Sequence, residues 1–180
     1  MNFENVESSS DFASAPDAFQ RLWTPHRLVY IQHGQQPSED QCPFCIGPTK
    51  TDEESLIVFR GKTAYALLNL FPYNSGHLLV CPYRHIPSYD LATLEEVQEI
   101  GEITQRAMVV LTKVSKAHGF NIGMNQGEVA GAGIAGHLHQ HVVPRWRNDA
   151  NFFPIIAETK ALPKLLSQVR DELAAGWHLD

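Results

Sequence analysis

One long stretch of helical periodicity, residues 93–118, stands among several short runs of β type. Apolar side chains recur there every three or four positions, which places them on one face of a helix. Thr93 and Glu96 match a capping box at its start, and Gly119 provides a stop. Because strands surround this helix without regular β-α-β alternation, the sequence predicts an α+β domain on an antiparallel sheet of about five strands. The expected strands cover 56–59, 64–69, 77–81, 120–124 and a segment from 137 onward, and a C-terminal helix is expected over 161–175.

The chain has 180 residues, which fits a single domain with a core of its own. Residues 1–20 are polar and serine-rich, so we expect a flexible N-terminal tail there and one domain over 21–180. No signal-peptide pattern or membrane-spanning apolar stretch is visible, and the expected location is the cytoplasm. A formal net charge of −6 argues against a nucleic-acid binder, which needs a basic surface, but it does not exclude a small nucleotide.

Three histidines, His137, His139 and His141, occupy alternate positions just before Val142 and Val143. In a strand, alternate side chains share one face, so the three imidazoles would form a row. Imidazole has an ordinary pKa near neutrality, and such a row is typical of proton transfer, nucleophilic attack or metal binding. The plain alternative is a polar strand face on which histidines are merely tolerated.

A glycine-rich loop, 127–136, leads directly into these histidines. Glycines let backbone N–H groups approach a ligand closely, as in many phosphate sites. Asn125 and Gln126 add neutral amide donors at the mouth of the loop, and Gly127 and Gly133 are candidate substrate contacts. Many such loops are only turns, but next to three histidines this one predicts a phosphate-binding cradle.

Cys42 and Cys45 form a CxxC pair in a chain with three cysteines, and an odd number argues against a disulfide framework. The pair supplies two ligands of a tetrahedral zinc site, for which His85 and His137 are the candidate partners. A redox pair, or thiols without a metal, are the alternatives, although the βαβ context of a thioredoxin-like motif is missing.

The run His137-Leu138-His139-Gln140-His141-Val142-Val143 resembles the His-φ-His-φ-His-φ-φ signature of the histidine triad family, in which φ is an apolar residue. Only Gln140 departs from that pattern. Asn69, the run GHLLVCP and the run NQGEVAG are also similar to that family and follow its order, so the resemblance covers about residues 42–146. WTPHRLVYI, GFNIGMNQG and HVVPRW resemble most the bacterial diadenosine tetraphosphate phosphorylase branch of the family.

The resemblance implies a role for each matching residue. His139 would attack the α-phosphorus and become a nucleotidyl-phosphohistidine, while His141 would hydrogen-bond the phosphate or the bridging oxygen. His77 would support the strand of the nucleophile. Asn69 would contact the ribose, and Asn125 would contact the phosphate.

The resemblance also implies a histidine-triad fold, with a homodimer whose sheet extends across two subunits, and a structural zinc on Cys42, Cys45, His85 and His137. The expected activity is phosphorolysis of diadenosine tetraphosphate (Ap4A) to ATP and ADP, with inorganic phosphate as second substrate. Ala132 and Gly133 stand where relatives often carry a hydroxyl side chain, so backbone N–H groups would replace that contact. The alternatives are a phosphoramidase or nucleotide hydrolase of the same fold, and a non-enzymatic, zinc-stabilised nucleotide-binding module.

Overall fold

The structure is a computed structural model that describes residues 38–147, 149 and 164–178. The predicted tail at 1–20 lies outside the described residues, as do 21–37 and the predicted start of the C-terminal helix at 161–163. Within the described part of the chain, none of the helices combines the length and the apolar character that crossing a membrane requires.

Five strands form one antiparallel sheet, as the sequence predicts: β1 (Ile57–Arg60), β2 (Ala64–Leu68), β3 (Leu78–Pro82), β4 (Gly119–Met124) and β5 (Gln140–Arg145). Their order across the sheet is β1-β2-β3-β5-β4. The α-helices within the described residues are α1 (Pro43–Ile46), α2 (Asp52–Ser55), α3 (Leu94–Ser115) and α4 (Leu166–Gly176). The predicted α+β class is therefore confirmed.

The start of the long helix α3 is as predicted. The Thr93 side chain accepts a hydrogen bond from the Glu96 N–H, and the Glu96 carboxylate accepts one from the Thr93 N–H. These two bonds satisfy backbone donors that would otherwise lack partners in the first turn.

The end of α3 differs from the predicted stop at Gly119. Lys116 takes a left-handed conformation with φ of 54°. Ala117 is buried in the core, and the His118 N–H donates to the carbonyl of Arg145 at 2.8 Å. The chain joins the sheet at His118 and has left the helix before Gly119, which begins β4.

The central strands β2 and β3 are buried on both faces of the sheet, so they read as continuous apolar runs. Their even-numbered side chains pack with α3 and α4, and their odd-numbered side chains pack on the opposite face with the CxxC segment. We call these the helix face and the open face. The helix face buries Ala64, Ala66, Leu68, Leu78, Val80 and Val142, and the open face buries Cys42, Phe44, Tyr65, Leu67, Leu79 and Cys81.

The histidine segment is only partly a strand. β5 begins at Gln140, so His141 alone of the three histidines lies in it, and the prediction of one strand carrying all three is wrong. The pairing of β5 with β3 ends at Gln140. Before that residue, the Leu138 N–H donates to the carbonyl of Ile86, in the loop after β3, at 2.6 Å. This loop replaces a regular strand partner for residues 137–139.

Gln140, which departs from the apolar pattern, has a partner on the helix face. Its side-chain amide donates to the hydroxyl of Thr104 on α3. The Thr104 hydroxyl in turn donates to the carbonyl of Ile100 at 2.7 Å. The polar group at Gln140 is therefore satisfied rather than buried without a partner.

Candidate active site

His77 and His141 form a hydrogen-bonded pair on the open face. His77 Nε2 lies 2.9 Å from His141 Nδ1, and their ring centroids are 5.1 Å apart. The pair forms because the β3–β5 register sets Leu79 opposite His141, and His77 lies two residues before Leu79 on the same face. The two side chains that the sequence predicts as supporting and substrate-contacting groups are thus brought together.

His139 stands beside this pair, with its ring centroid 5.1 Å from that of His141. His139 Nδ1 lies 2.8 Å from the carbonyl oxygen of His137. Since a carbonyl oxygen can only accept, Nδ1 carries the ring hydrogen and Nε2 keeps the lone pair that a nucleophile needs. His139 is only 6% exposed, and this burial lowers its pKa, which favours the neutral imidazole.

The four predicted metal ligands converge at the edge of the open face. The potential ligand atoms of Cys42, Cys45, His85 and His137 all lie within 4.8 Å of one another. His137 Nδ1 is 3.5 Å from Cys42 Sγ and 3.4 Å from Cys45 Sγ. His85 Nδ1 is 3.3 Å from Cys45 Sγ.

These separations match a tetrahedral zinc centre. Zn–S bonds of about 2.3 Å and Zn–N bonds of about 2.0–2.1 Å at tetrahedral angles place sulfur and nitrogen about 3.5 Å apart. His137 Nε2 lies 2.9 Å from the Pro82 carbonyl, so it carries the ring hydrogen and leaves Nδ1 to face the thiols. Burial, reinforced by Cys42, raises the pKa of the Cys45 thiol to about 12, and a bound cation would favour the thiolate form.

Phe44, which sequence reasoning missed, lies between the two cysteines and connects the four potential metal ligands to His139. Its ring packs 5.4 Å from the His137 ring and 5.1 Å from the His139 ring. Its carbonyl accepts a hydrogen bond of 2.6 Å from the Tyr65 hydroxyl, which fixes helix α1 to β2. The sequence feature that could have identified Phe44 is its position between the two cysteines of the CxxC pair.

An ion pair holds the loop that carries His85. The Arg84 guanidinium makes two hydrogen bonds to the buried carboxylate of Glu96, at 2.7 and 2.6 Å. Arg84 also donates to the carbonyl of Leu91 at 3.0 Å. The start of α3 therefore positions the loop that contributes one of the four potential metal ligands.

Replacing Glu96 with glutamine should lower the free energy of unfolding at pH 7 by about 2 kcal/mol, because the half-exposed Arg84 loses a charged partner. The hydrogen bond from Arg84 is the main cause that lowers the pKa of Glu96 from 4.5 to about 2. The stabilisation is thus complete above about pH 4.5 and declines as the pH falls towards 2. Urea unfolding at pH 7 and pH 3 measures both effects.

Glu95→Gln is the matched control for this prediction, since the Glu95 side chain is 75% exposed and lies 3.9 Å from Lys62 Nζ. We expect it to change stability by less than about 0.5 kcal/mol. Equal losses in the two variants, or a loss in Glu96→Gln that does not shrink at pH 3, would contradict the role given to Glu96.

Two of the predicted substrate-binding residues have partners within the protein. The Asn69 side-chain nitrogen lies 3.4 Å from His77 Nδ1, and its side-chain oxygen accepts from the Phe71 N–H at 2.9 Å. The Gln126 side-chain oxygen accepts from the Tyr89 N–H at 2.8 Å. Asn69 therefore borders the histidine pair, whereas Gln126 joins two loops.

Asn125 directly follows the last residue of β4, and the glycine-rich loop comes next in the chain. Asn125 follows Met124, whose register partner is Gln140, so it comes level with His139. Gly127 has a φ of 78°, in the left-handed region that glycine adopts without strain, and Gly133 is exposed. The N–H groups of Ala130, Gly131 and Ala132 bond to carbonyls within the loop, at 3.3, 2.9 and 3.3 Å.

Tyr73 is a second site residue that sequence reasoning missed. Its N–H donates to His77 Nδ1 at 3.0 Å, and its ring stacks on His141 with centroids 5.6 Å apart. The signal in the sequence was its place in the loop that ends in Gly76 and His77.

Comparison with family models matches residues 50–148 of the chain to the HIT domain. A protein of Mycobacterium tuberculosis (strain ATCC 25618 / H37Rv) named AP-4-A phosphorylase is 47% identical over 167 residues, which cover 89% of this chain and 86% of that protein. A bis(5'-nucleosyl)-tetraphosphatase [asymmetrical] of Schizosaccharomyces pombe is 34% identical over 95 residues, which cover 53% of this chain and 52% of that protein.

Solved structures share the fold. A histidine triad family protein from Mycobacterium smegmatis, described as Zn-bound, superposes with a TM-score of 0.63. It is 24% identical in sequence, and the match covers 78% of this chain and 95% of that chain. The five-stranded sheet with its long helix is thus the arrangement found in that protein.

Proposed function

The chain belongs to the HIT family, and from that premise we propose that it is an enzyme that cleaves dinucleoside polyphosphates through a nucleotidyl-histidine on His139. The substrate that we assign is Ap4A, with inorganic phosphate as acceptor, so that the products are ATP and ADP. The observation that carries this proposal is the Nδ1–H bond from His139 to the His137 carbonyl, which leaves Nε2 with its lone pair beside His141. The 47% identity to an AP-4-A phosphorylase supports the choice of substrate.

The reaction has two displacements at one phosphorus atom. In the first, the lone pair of His139 Nε2 forms a bond to the α-phosphorus, and the bond from that phosphorus to the bridging oxygen breaks, releasing ATP. In the second, a phosphate oxygen attacks the same phosphorus, the P–N bond breaks, and ADP leaves with His139 restored. His141 would hydrogen-bond the oxygen on which charge develops. Asn69, Asn125, Gly127 and Gly133 would contact the ribose and the phosphates, and Gln126 the same region.

A structural zinc is part of this proposal. Cys42, Cys45, His85 and His137 would hold it with four protein ligands and no open position, as in a structural centre. Bound there, the metal would supply a cross-link between the CxxC segment and the catalytic residues, and no chemistry of its own. His139, two residues after His137, would thereby be held against Phe44.

We extend the proposal to a homodimer whose sheet continues across two subunits. β4 lies at an edge of the sheet, and Asn121, Ile122 and Gly123 are exposed along it. An exposed edge strand is suited to pairing with a second copy. The cytoplasmic location stays a prediction from the sequence.

Incubation of the zinc-loaded protein with Ap4A and isotopically labelled phosphate tests the function. Label in ADP, with unlabelled ATP as the other product, would support phosphorolysis. AMP and ATP in place of ADP would favour the hydrolase alternative. Faster turnover of an adenosine phosphoramidate than of Ap4A would favour the phosphoramidase, and binding of nucleotide without any product would favour the non-enzymatic module.

A further inference from the structure

We propose that Tyr73 is a positioning residue that holds His141 as a neutral imidazole with its hydrogen on Nε2. This inference rests on the proposed function, which supplies the leaving group that His141 would contact. The arrangement itself is built from the contacts of Tyr73 with His77 and His141.

The backbone of Tyr73 determines which ring nitrogens carry hydrogen. Its N–H lies 3.0 Å from His77 Nδ1, and since a backbone N–H can only donate, that nitrogen is the acceptor. The hydrogen of a neutral His77 is therefore on Nε2, which donates to His141 Nδ1 at 2.9 Å. A His141 ring that accepts at Nδ1 carries its own hydrogen on Nε2.

The ring of Tyr73 controls the orientation of the pair. It lies nearly parallel to the His141 ring, with an interplanar angle of 14° and centroids 5.6 Å apart. It also packs on His77, with centroids 4.7 Å apart and an angle of 41°. A single aromatic ring in contact with both imidazoles restricts the rotation of each and shields their shared hydrogen bond from water.

The loop that carries Tyr73 is fixed to the same strand as His141. The Asn74 side-chain nitrogen donates to the Pro144 carbonyl in β5 at 3.1 Å and to the Asp149 carboxylate at 2.9 Å. Arg145, also in β5, makes two hydrogen bonds to that carboxylate, at 2.6 and 2.8 Å. Asn74, the neighbour of Tyr73, is hydrogen-bonded to β5, and His141 lies in β5. The position of Tyr73 relative to His141 is therefore constrained.

A donor of this kind suits the proposed reaction. A neutral His141 with Nε2–H contributes a hydrogen bond to the departing oxygen and keeps its proton. The leaving group is a nucleoside polyphosphate, which departs as a stable anion and needs no proton. An aromatic positioning residue therefore acts through His141 rather than on the substrate.

Nuclear magnetic resonance of the zinc-loaded, full-length protein with ¹⁵N-labelled histidine tests the arrangement directly, since long-range ¹H–¹⁵N spectra distinguish the two tautomers. We expect both His77 and His141 to carry hydrogen on Nε2 in the unmodified protein and in Tyr73→Phe. In Tyr73→Ala, which keeps the backbone N–H but loses the ring, we expect the same tautomers and a broadened His141 signal from a more mobile imidazole. For Ap4A, kcat should fall about ten- to hundredfold in Tyr73→Ala, with KM changed less than about threefold.

Leu94→Ala is the control for loss of an exposed apolar side chain, since Leu94 is 88% exposed, and it should match the unmodified protein in both measurements. Hydrogen on Nδ1 of either histidine in the unmodified protein would overturn the proposal, and so would a Tyr73→Ala protein with an unchanged His141 line width and an unchanged kcat. The spectrum of the unmodified protein tests the tautomers whether or not a variant folds and whether or not Ap4A is cleaved. A protein with the expected tautomers that cleaves no Ap4A would contradict the proposed function while supporting the role of Tyr73.

Discussion

Replacing His139 with alanine should lower kcat for Ap4A cleavage by about a thousandfold or more, because no other group in the site takes over a lost nucleophile. The described structure places one imidazole with an oriented lone pair, His139 Nε2, next to His141. Quenching in alkaline denaturant, in which the P–N bond of a nucleotidyl-histidine survives, provides a second measurement, with substrate labelled at the α-phosphorus and no inorganic phosphate added. Label should remain attached to the unmodified protein and be absent from His139→Ala.

His118→Ala is the control for loss of an imidazole. His118 is exposed, and its Nδ1 accepts from the Arg147 N–H at 3.1 Å, so its substitution should leave kcat unchanged within about twofold. A His139→Ala protein that kept a tenth or more of the activity, or that still retained label after alkaline quenching, would exclude His139 as the nucleophile.

The fold could be predicted because local patterns and tertiary packing agree along most of the chain. The capping box at Thr93 uses nearby residues only and is found where expected. The turn between β1 and β2 is local as well, with the Gly61 N–H bonded to the Ala64 carbonyl at 2.8 Å. The central strands read as apolar runs because they are covered on both faces. A fold can be predicted from the sequence where the local pattern and the tertiary packing favour the same structure.

The parts that could not be predicted depend on hydrogen bonds between distant segments. β5 starts late because the Leu138 N–H bonds to Ile86, 52 positions before it, and no periodicity reports such a bond. α3 ends early because His118 bonds to Arg145 in β5. In both places a hydrogen bond between distant segments determined where the element begins or ends. The local signals, which were the alternation of histidines and the glycine at 119, predicted a different position.

The sequence predicted the polar and metal-ligating residues of the candidate site, but not the aromatic residues that pack on them. The CxxC spacing and the alternating histidines identified the residue types, and the four potential metal ligands do converge. The sequence did not identify Phe44 and Tyr73, because nothing in the sequence assigns an aromatic residue to a site before its neighbours are known. Their contacts with His139 and His141 arise only when α1 and the loop before β3 pack against the same end of the open face.

Replacing Cys42 with alanine should abolish stoichiometric zinc binding and lower the free energy of unfolding by about 4 kcal/mol, which is the stabilisation that a ligand provides at a thousand times its Kd. The sulfur of Cys42 lies 3.5 Å from His137 Nδ1 and belongs to a closed set of four ligands. Plasma emission spectroscopy measures the metal content, and urea unfolding with and without EDTA measures the stability. In the unmodified protein, EDTA should cause a loss of the same size, and in Cys42→Ala it should have no further effect.

Cys81→Ala separates the metal from the packing, because Cys81 is buried in the same apolar cluster as Cys42 but is not among the four ligands. Removing its sulfur should cost about 1–2 kcal/mol through the cavity that it leaves, while zinc content and sensitivity to EDTA stay as in the unmodified protein. If Cys42→Ala and Cys81→Ala lost equal stability and EDTA had no effect on either the unmodified protein or Cys81→Ala, the cluster would be ordinary core. The link between the CxxC segment and His139 would then rest on the packing of Phe44.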